Sequence, residues 1–213
     1  MLFRSGVFMV IKNYSGDIMN FEMAQEMAEM EGIEVASVVV DDDIAVEDSL
    51  YTQGRRGVAG TILVHKILGD ATRAGKSLTE IKALADELVK NIHTVGLALS
   101  GATVPEVGKP GFVLADDEIE FGIGIHGEPG YRKEKMQPSK DLAKELVEKL
   151  SQSFEFKSGK KIGILINGMG ATPLMEQYVF AADVADLLAD AGVEVVYKKL
   201  GNYMTSIDMA GIT

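Results

Sequence analysis

Short apolar runs alternate with segments of helical periodicity along this chain, and that alternation restricts its fold more than any other feature. Residues 7–11 and 34–40 are near-continuous apolar runs of the kind found in buried parallel strands. Between them, apolar residues recur at helical spacing from Ile18 to Met30. The pattern predicts an α/β fold of two α/β domains, with mixed or mostly parallel sheets flanked by helices.

The remaining elements follow from the same periodicities. We expect further strands at residues 94–99, 118–126, 161–166 and 193–197, and helices at residues 57–68, 139–150 and 174–190. Ser77 and Glu80 have the spacing of a capping box, which predicts a helix running to about Ile92. Proline and glycine become frequent after Gly101. We therefore place a first domain at residues 1–100 and a second at residues 101–213.

Composition excludes several classes of function. The 32 acidic residues outnumber the 21 basic ones, for a formal net charge of −11, which disfavours binding to nucleic acid or to an anionic membrane. The chain has no cysteine, so disulfides, thiolate catalysis and zinc-thiolate sites are excluded. No apolar run approaches the roughly 20 residues of a membrane span, and no signal peptide is visible. We expect a cytoplasmic enzyme or receptor.

His126 is the first candidate for a reactive group. Alternation of Ile119, Phe121, Ile123 and Ile125 predicts a strand that places the imidazole opposite the apolar face. The neighbouring glycines remove side-chain bulk, so a small molecule could approach the ring, although a lone histidine at a strand end is more often structural. The triplet Gly-x-Gly-x-x-Gly at residues 122–127 also matches a dinucleotide-binding pattern, but the following Glu-Pro-Gly predicts a turn instead of the required helix.

Other polar loops have both a functional and a structural interpretation. Lys12 and Asp17 follow the first strand, where ligands collect in α/β folds, but Asp17 also suits a helix N-cap. The acidic residues 41–43 resemble a turn with a cap more than a metal site. An arginine pair at residues 55–56 favours ion pairs, since no Walker spacing is present. The glycine-rich loop at residues 167–172 could hold an anion or simply connect a strand to a helix.

Four blocks of sequence resemble the substrate-binding subunit of dihydroxyacetone kinase. They are Lys-Asn-Tyr-Ser-Gly-Asp at residues 12–17, Tyr-Thr-Gln-Gly-Arg-Arg-Gly-Val-Ala-Gly-Thr at 51–61, Gly-Ile-Gly-Ile-His-Gly-Glu-Pro-Gly at 122–130 and Gly-Asn-Tyr-Met-Thr-Ser at 201–206. The blocks occur in the family's order and span nearly the whole chain. Together they are far more specific than any one of them.

The resemblance implies particular roles for three residues. In the family, the histidine of the third block attacks the ketone carbon of dihydroxyacetone and gives a covalent hemiaminal, which here implies His126. The lysine and aspartate of the first block contact the bound sugar, which implies Lys12 and Asp17 as binding residues and Asp17 as a catalytic residue. The resemblance implies no cofactor or metal in this chain, ATP or ADP with Mg²⁺ on a nucleotide-carrying partner subunit or domain, and a homodimer.

One departure from the family pattern bears on activity. The family has an upstream Gly-Gly-Gly-Ser-Gly-His-type segment with a second active-site histidine, and these 213 residues contain no such segment. We therefore expect the sequence to be truncated at both ends, so that the chain alone could be inactive. The alternative to a kinase subunit is a non-enzymatic dihydroxyacetone receptor that acts as a transcription coactivator.

Overall fold

The computed structural model describes residues 6–47 and 52–213 of the chain. These residues divide into two units by their internal contacts. The first contains the described residues up to Asp43 together with those from Glu47 to Ile92, and the second contains Ile44–Val46 and His93–Thr213. The domain boundary that the sequence suggests after residue 100 stays a prediction.

The first unit is built on a parallel pair of strands. Strand β1 (Val7–Lys12) pairs with β2 (Val35–Val40), from Val7 opposite Val35 to Lys12 opposite Val40, and helix α1 (Ser15–Met30) makes the crossover. Helices α2 (Thr61–Arg73) and α3 (Leu78–Leu88) follow, and a 3₁₀ turn (Val89–Asn91) extends α3. Their apolar faces enclose a core of Val38, Val40, Val64, Leu68, Ile81, Ala85 and Ile92.

Local interactions set the ends of these helices. The capping box at α3 is confirmed: the Ser77 hydroxyl accepts the Glu80 backbone N–H at 3.3 Å, and the Glu80 carboxylate accepts the Ser77 N–H at 2.9 Å. Helix α2 begins at Thr61 and not at residue 57, because the backbone N–H groups of Val58 and Gly60 donate to the buried Asp42 carboxylate, each at 2.8 Å. The predicted start of α2 was therefore too early.

The second unit combines two sheets. Its four-stranded antiparallel sheet has the order β5 (Arg132–Lys135), β4 (Glu118–Phe121), β3 (Leu97–Ala98) and β8 (Gly211–Ile212). Strands β6 (Lys161–Asn167) and β7 (Glu194–Gly201) form a parallel pair, connected through α5 (Leu174–Asp190). Helix α4 (Ser139–Ser151) packs against α5. The core includes Leu97, Ile119, Phe121, Leu146, Phe180 and Leu188.

The predicted α/β fold with mixed sheets is confirmed, but individual strands differ from the sequence-based predictions. The strand predicted at residues 94–99 is reduced to Leu97–Ala98. The strand predicted through His126 was wrong, because β4 ends at Phe121 and Gly122 has a φ of 74°, which leaves the extended region. Among the described residues, no helix has the length and apolar character needed to cross a bilayer.

Candidate functional site

His126 lies in a turn between β4 and β5. The N–H of Gly127 donates to the Gly124 carbonyl at 3.1 Å, and the N–H of Gly124 donates to the Glu128 carbonyl at 3.0 Å. The side chain of His126 is 55% exposed, whereas Ile123 and Glu128 on either side are buried. The turn therefore anchors its flanks in the unit and presents the imidazole at the surface.

The Glu128 carboxylate contacts His126 at two points. One oxygen, Oε2, accepts the backbone N–H of His126 at 2.9 Å, and the other, Oε1, lies 3.3 Å from the ring nitrogen Nδ1. Burial raises the pKa of Glu128, but the hydrogen bonds from the His126 ring and backbone outweigh this effect, so the pKa is lowered overall. Glu128 is thus an anion against one edge of the imidazole at neutral pH.

In this block Gly122 allows close packing, whereas we expected the glycines to leave space for a ligand beside His126. A β-carbon at Gly122 would lie 2.6 Å from the Tyr131 ring and 2.7 Å from the Ala45 side chain. Gly122 therefore does not clear an approach to the histidine; its absent side chain lets the chain turn tightly against Tyr131. The dinucleotide-binding interpretation also fails, because a turn and strand β5 follow these glycines instead of a helix.

The fourth sequence block packs against the His126 turn. The Ser206 hydroxyl donates to the carbonyl of Ile125, and the Ser206 N–H donates to the Met169 carbonyl at 2.7 Å. Asn167 fixes the start of the same segment, since its side-chain oxygen accepts the N–H groups of Tyr203 and Met204 at 2.9 and 2.8 Å. The third and fourth blocks thus meet within the second unit.

The glycine-rich loop after β6 is a structural connection. Three of its backbone N–H groups donate within the unit: Gly168 to Gly201, Met169 to Gly211 and Ala171 to Met209. A β-carbon at Gly168 would also lie 2.1 Å from the Asn202 side chain. Because those N–H groups are used inside the unit, the structure favours a strand-to-helix connection over an anion-binding loop.

Lys12 and Asp17 lie at the junction of β1 and α1 in the first unit. Lys12 is the last residue of β1, and both side chains are partly exposed. Asp17 stands in the first turn of α1, where the helix dipole favours a carboxylate, but the residue at the N-cap position is Tyr14. The N-cap interpretation of Asp17 was therefore wrong.

The first two sequence blocks also meet. The Asn13 side chain donates to the carbonyls of Gln53 and Arg55 at 2.9 and 2.7 Å. A β-carbon at Gly57 would lie 2.3 Å from the Val40 carbonyl oxygen and 2.9 Å from the Lys12 α-carbon. Close backbone packing therefore joins the blocks around Lys12, while Tyr51 of the second block lies outside the described residues.

The acidic run after β2 supports this loop. Asp43 pairs with the buried Arg56 at 2.7 Å, which confirms the ion-pair interpretation of the arginines for Arg56. Asp42 accepts the two N–H groups that precede α2. Within the described residues, no group of three or more histidine, aspartate or glutamate side chains is arranged to hold a metal ion.

The structure therefore groups Lys12 with Asp17 in the first unit and places His126 in the second. The sequence analysis assigned no role to Glu128 or Ser206, although they lie in the third and fourth sequence blocks. An acidic residue two positions after a candidate histidine was the available signal for Glu128. No periodicity pointed to Ser206, whose partner Ile125 is 81 residues away.

Comparison with known proteins gives a consistent set of relatives. The Dak1 domain family matches residues 3–213. A Lactococcus lactis protein named as the dihydroxyacetone-binding subunit DhaK of a PTS-dependent dihydroxyacetone kinase is 69% identical over 98% of this chain and 63% of its own length. The chain thus spans less than two thirds of that relative.

Two solved structures share the fold. The dihydroxyacetone kinase operon co-activator DhaQ is 48% identical, with a TM-score of 0.91 over 98% of this chain and 64% of the other. The dihydroxyacetone kinase of C. freundii is 30% identical, with a TM-score of 0.85 over 97% of this chain and 37% of the other. One relative is therefore a kinase and another a coactivator.

Proposed function

This chain belongs to the Dak1 domain family, and on that premise we propose that it is the substrate-binding part of a dihydroxyacetone kinase subunit. In this proposal His126 holds dihydroxyacetone as a covalent hemiaminal while a partner supplies the phosphoryl group. The observation that carries the proposal is the exposed imidazole of His126, presented by a turn whose flanks are buried. The 69% identity to a dihydroxyacetone-binding subunit supports the choice of substrate.

The chemistry of capture needs only a neutral imidazole and a small ketone. A ring nitrogen donates its lone pair to the carbonyl carbon, and the carbonyl π electrons move to the oxygen. That oxygen gains a proton and the imidazolium loses one, so the adduct has the mass of the protein plus one whole dihydroxyacetone molecule. Glycerol has similar hydroxyl groups but no carbonyl carbon, so the same site discriminates against it.

Lys12 and Asp17 have complementary roles in the proposal. The Lys12 ammonium donates to an oxygen of the sugar, and the Asp17 carboxylate accepts the proton of the hydroxyl that is phosphorylated. The resemblance of the first block to the family pattern supports both roles. Phosphoryl transfer then depends mainly on positioning and charge stabilisation.

The phosphoryl donor belongs to a partner in this proposal. The C. freundii kinase has been solved with AMP-PNP and Mg²⁺, and this chain matches only 37% of that protein. This leaves most of that kinase outside the match, in agreement with a nucleotide carried by another subunit or domain. The proposal retains the cytoplasmic location and the homodimer expected from the sequence.

A coactivator is the second candidate function. The 48% identity and the TM-score of 0.91 to DhaQ favour it, because a receptor of this kind could keep the covalent histidine without transferring phosphate. The higher identity to the kinase subunit makes the enzyme our first choice. Both candidates require capture of the ketone, so capture is tested first.

Native mass spectrometry of the chain with dihydroxyacetone provides that test. We expect a gain of one dihydroxyacetone mass without loss of water, no gain with glycerol, and no gain in His126→Ala. An adduct that has lost water would instead indicate an imine on a lysine such as Lys12. The proposal fails if the folded wild-type chain gains no mass, or if His126→Ala gains as much as the wild type.

A further inference from the structure

The two carboxylate oxygens of Glu128 each face a nitrogen atom of His126. Its Oε2 atom accepts the His126 backbone N–H at 2.9 Å, while Oε1 lies 3.3 Å from Nδ1 of the His126 ring. An ionised carboxylate can only accept hydrogen bonds. A hydrogen bond at Oε1 therefore requires the proton on Nδ1, which leaves the lone pair of the neutral ring on Nε2.

We propose that Glu128 is a positioning residue, which holds His126 in the tautomer whose Nε2 lone pair attacks the ketone. This inference rests on the proposed function and specifies which ring nitrogen reacts. The burial of the pair agrees with this division of roles: the Glu128 side chain is 2% exposed and the His126 side chain 55%. The carboxylate is thus fixed inside the turn, while the outer edge of the ring is accessible to a ligand.

The same carboxylate stabilises the charge that develops during attack. When Nε2 forms a bond to the carbonyl carbon, the ring becomes a cation that still carries the proton on Nδ1. An anion at 3.3 Å from that nitrogen favours the cation until the Nδ1 proton passes to water and the alkoxide takes up a proton from water. Glu128 therefore acts on both the orientation of the ring and its charge.

Replacement of Glu128 by glutamine makes a sharp test, because glutamine keeps the shape and reverses one hydrogen bond. The backbone N–H of His126 is always a donor, so the amide oxygen must face it. The amide NH₂ then faces Nδ1, which must become the acceptor. In Glu128→Gln the proton therefore moves to Nε2, and that nitrogen no longer has a lone pair for attack on the ketone.

The tautomer is measured without ligand by two-bond ¹H–¹⁵N correlation NMR at about pH 8.5, roughly two units above the reference pKa of a histidine side chain. With three histidines in the chain, the His126→Ala spectrum identifies the signals of His126. We expect the proton on Nδ1 in the wild type and on Nε2 in Glu128→Gln. Adduct formation with dihydroxyacetone should fall roughly 100-fold or more in the variant, as expected when a histidine is held in the wrong tautomer.

Glu118→Gln is the matched control. Glu118 also accepts a backbone N–H, but the donor is Ala115 at 3.0 Å, whereas the donor to Glu128 is a histidine. We expect this variant to keep the wild-type tautomer and adduct. If Glu128 only shaped its turn, Glu128→Gln would keep the proton on Nδ1, and that result would overturn the inference.

The two proposals fail in distinguishable ways. Absence of an adduct in the wild type contradicts the proposed function, whereas the NMR measurement needs no substrate. A wild-type adduct together with an unchanged tautomer in Glu128→Gln contradicts only the role of Glu128. A wild-type adduct attached through Nδ1 would contradict it as well.

Discussion

Arg56 of the second sequence block is fully buried and pairs with Asp43, which gives it a structural role. Its guanidinium lies 2.7 Å from the Asp43 carboxylate, with side-chain exposures of 0% and 4%. Removing one member of a buried ion pair leaves the other charge desolvated without its partner. We predict that Arg56→Ala lowers the free energy of unfolding by about 3–5 kcal/mol, measured by chemical denaturation.

The exposed pair of Lys66 and Asp70 supplies the control for Arg56. These side chains are 50% and 48% exposed, so water screens their interaction. Lys66→Ala should therefore change the free energy of unfolding far less than Arg56→Ala. Equal effects of the two substitutions would contradict a structural role for the buried pair.

At this scale the sequence identified the candidate histidine but not its surroundings. The alternating apolar pattern continues through Ile123 and Ile125, which are buried or partly buried in a small cluster. Alternation therefore predicted a strand up to His126. The turn depends on the positive φ of Gly122 and on the buried Glu128 carboxylate, and a hydrophobic pattern encodes neither.

At the scale of elements, Gly57 controls how the loop before α2 packs against the end of β1. Its absent β-carbon lets the loop approach the Val40 carbonyl and the Asn13 N–H, which are backbone atoms that cannot rotate away. Gly57→Ala would place a β-carbon 2.3 Å from the Val40 oxygen. We predict that this substitution lowers the free energy of unfolding by about 1–3 kcal/mol or more, as measured by calorimetry or denaturant titration.

Gly69→Ala is the matched substitution within the same unit. Gly69 lies inside α2, and its added β-carbon would meet the Arg73 side chain only at an ordinary distance of 3.7 Å. Because alanine favours a helix over glycine, we expect this variant to gain about 0.5–1 kcal/mol. Stabilisation by both substitutions would show that Gly57 is not sterically required.

The sequence predicted long elements better than short ones. Helix α5 was predicted at residues 174–190 and occupies Leu174–Asp190, because its apolar spacing runs over several turns. Strand β5 was missed, since Arg-Lys-Glu-Lys contains no apolar residue, yet it pairs with β4 at one edge of the sheet. Charged residues are common on edge strands because they discourage pairing with another chain.

At the scale of the whole molecule, the family resemblance provided information that periodicity could not. The first and second blocks meet inside the first unit, where Asn13 bonds to the Gln53 and Arg55 carbonyls, and the third and fourth meet inside the second unit, where Ser206 bonds to Ile125. Separations of 40 to 81 residues lie beyond the reach of helix or strand periods. These contacts give a structural reason for the blocks, but catalysis depends on the proposed roles of Lys12, Asp17 and His126.

Phosphoryl transfer in the whole assembly distinguishes capture from catalysis. With a nucleotide-carrying kinase subunit, Mg²⁺ and either ATP or a phosphotransferase relay as the phosphoryl source, we predict that Asp17→Asn retains the dihydroxyacetone adduct but forms dihydroxyacetone phosphate roughly 100-fold more slowly, because the proton acceptor is lost. Product is measured enzymatically and the adduct by native mass spectrometry. Glu22→Gln, an exposed carboxylate on the same helix, should leave both unchanged.

The wild-type result in that assay also separates the two candidate functions. A kinase subunit in its full-length form gives product that depends on both His126 and Asp17. A coactivator forms the adduct and gives no product with any nucleotide-carrying partner. If Asp17→Asn lost the adduct together with the product, Asp17 would act in binding, and its assignment as the proton acceptor would be wrong.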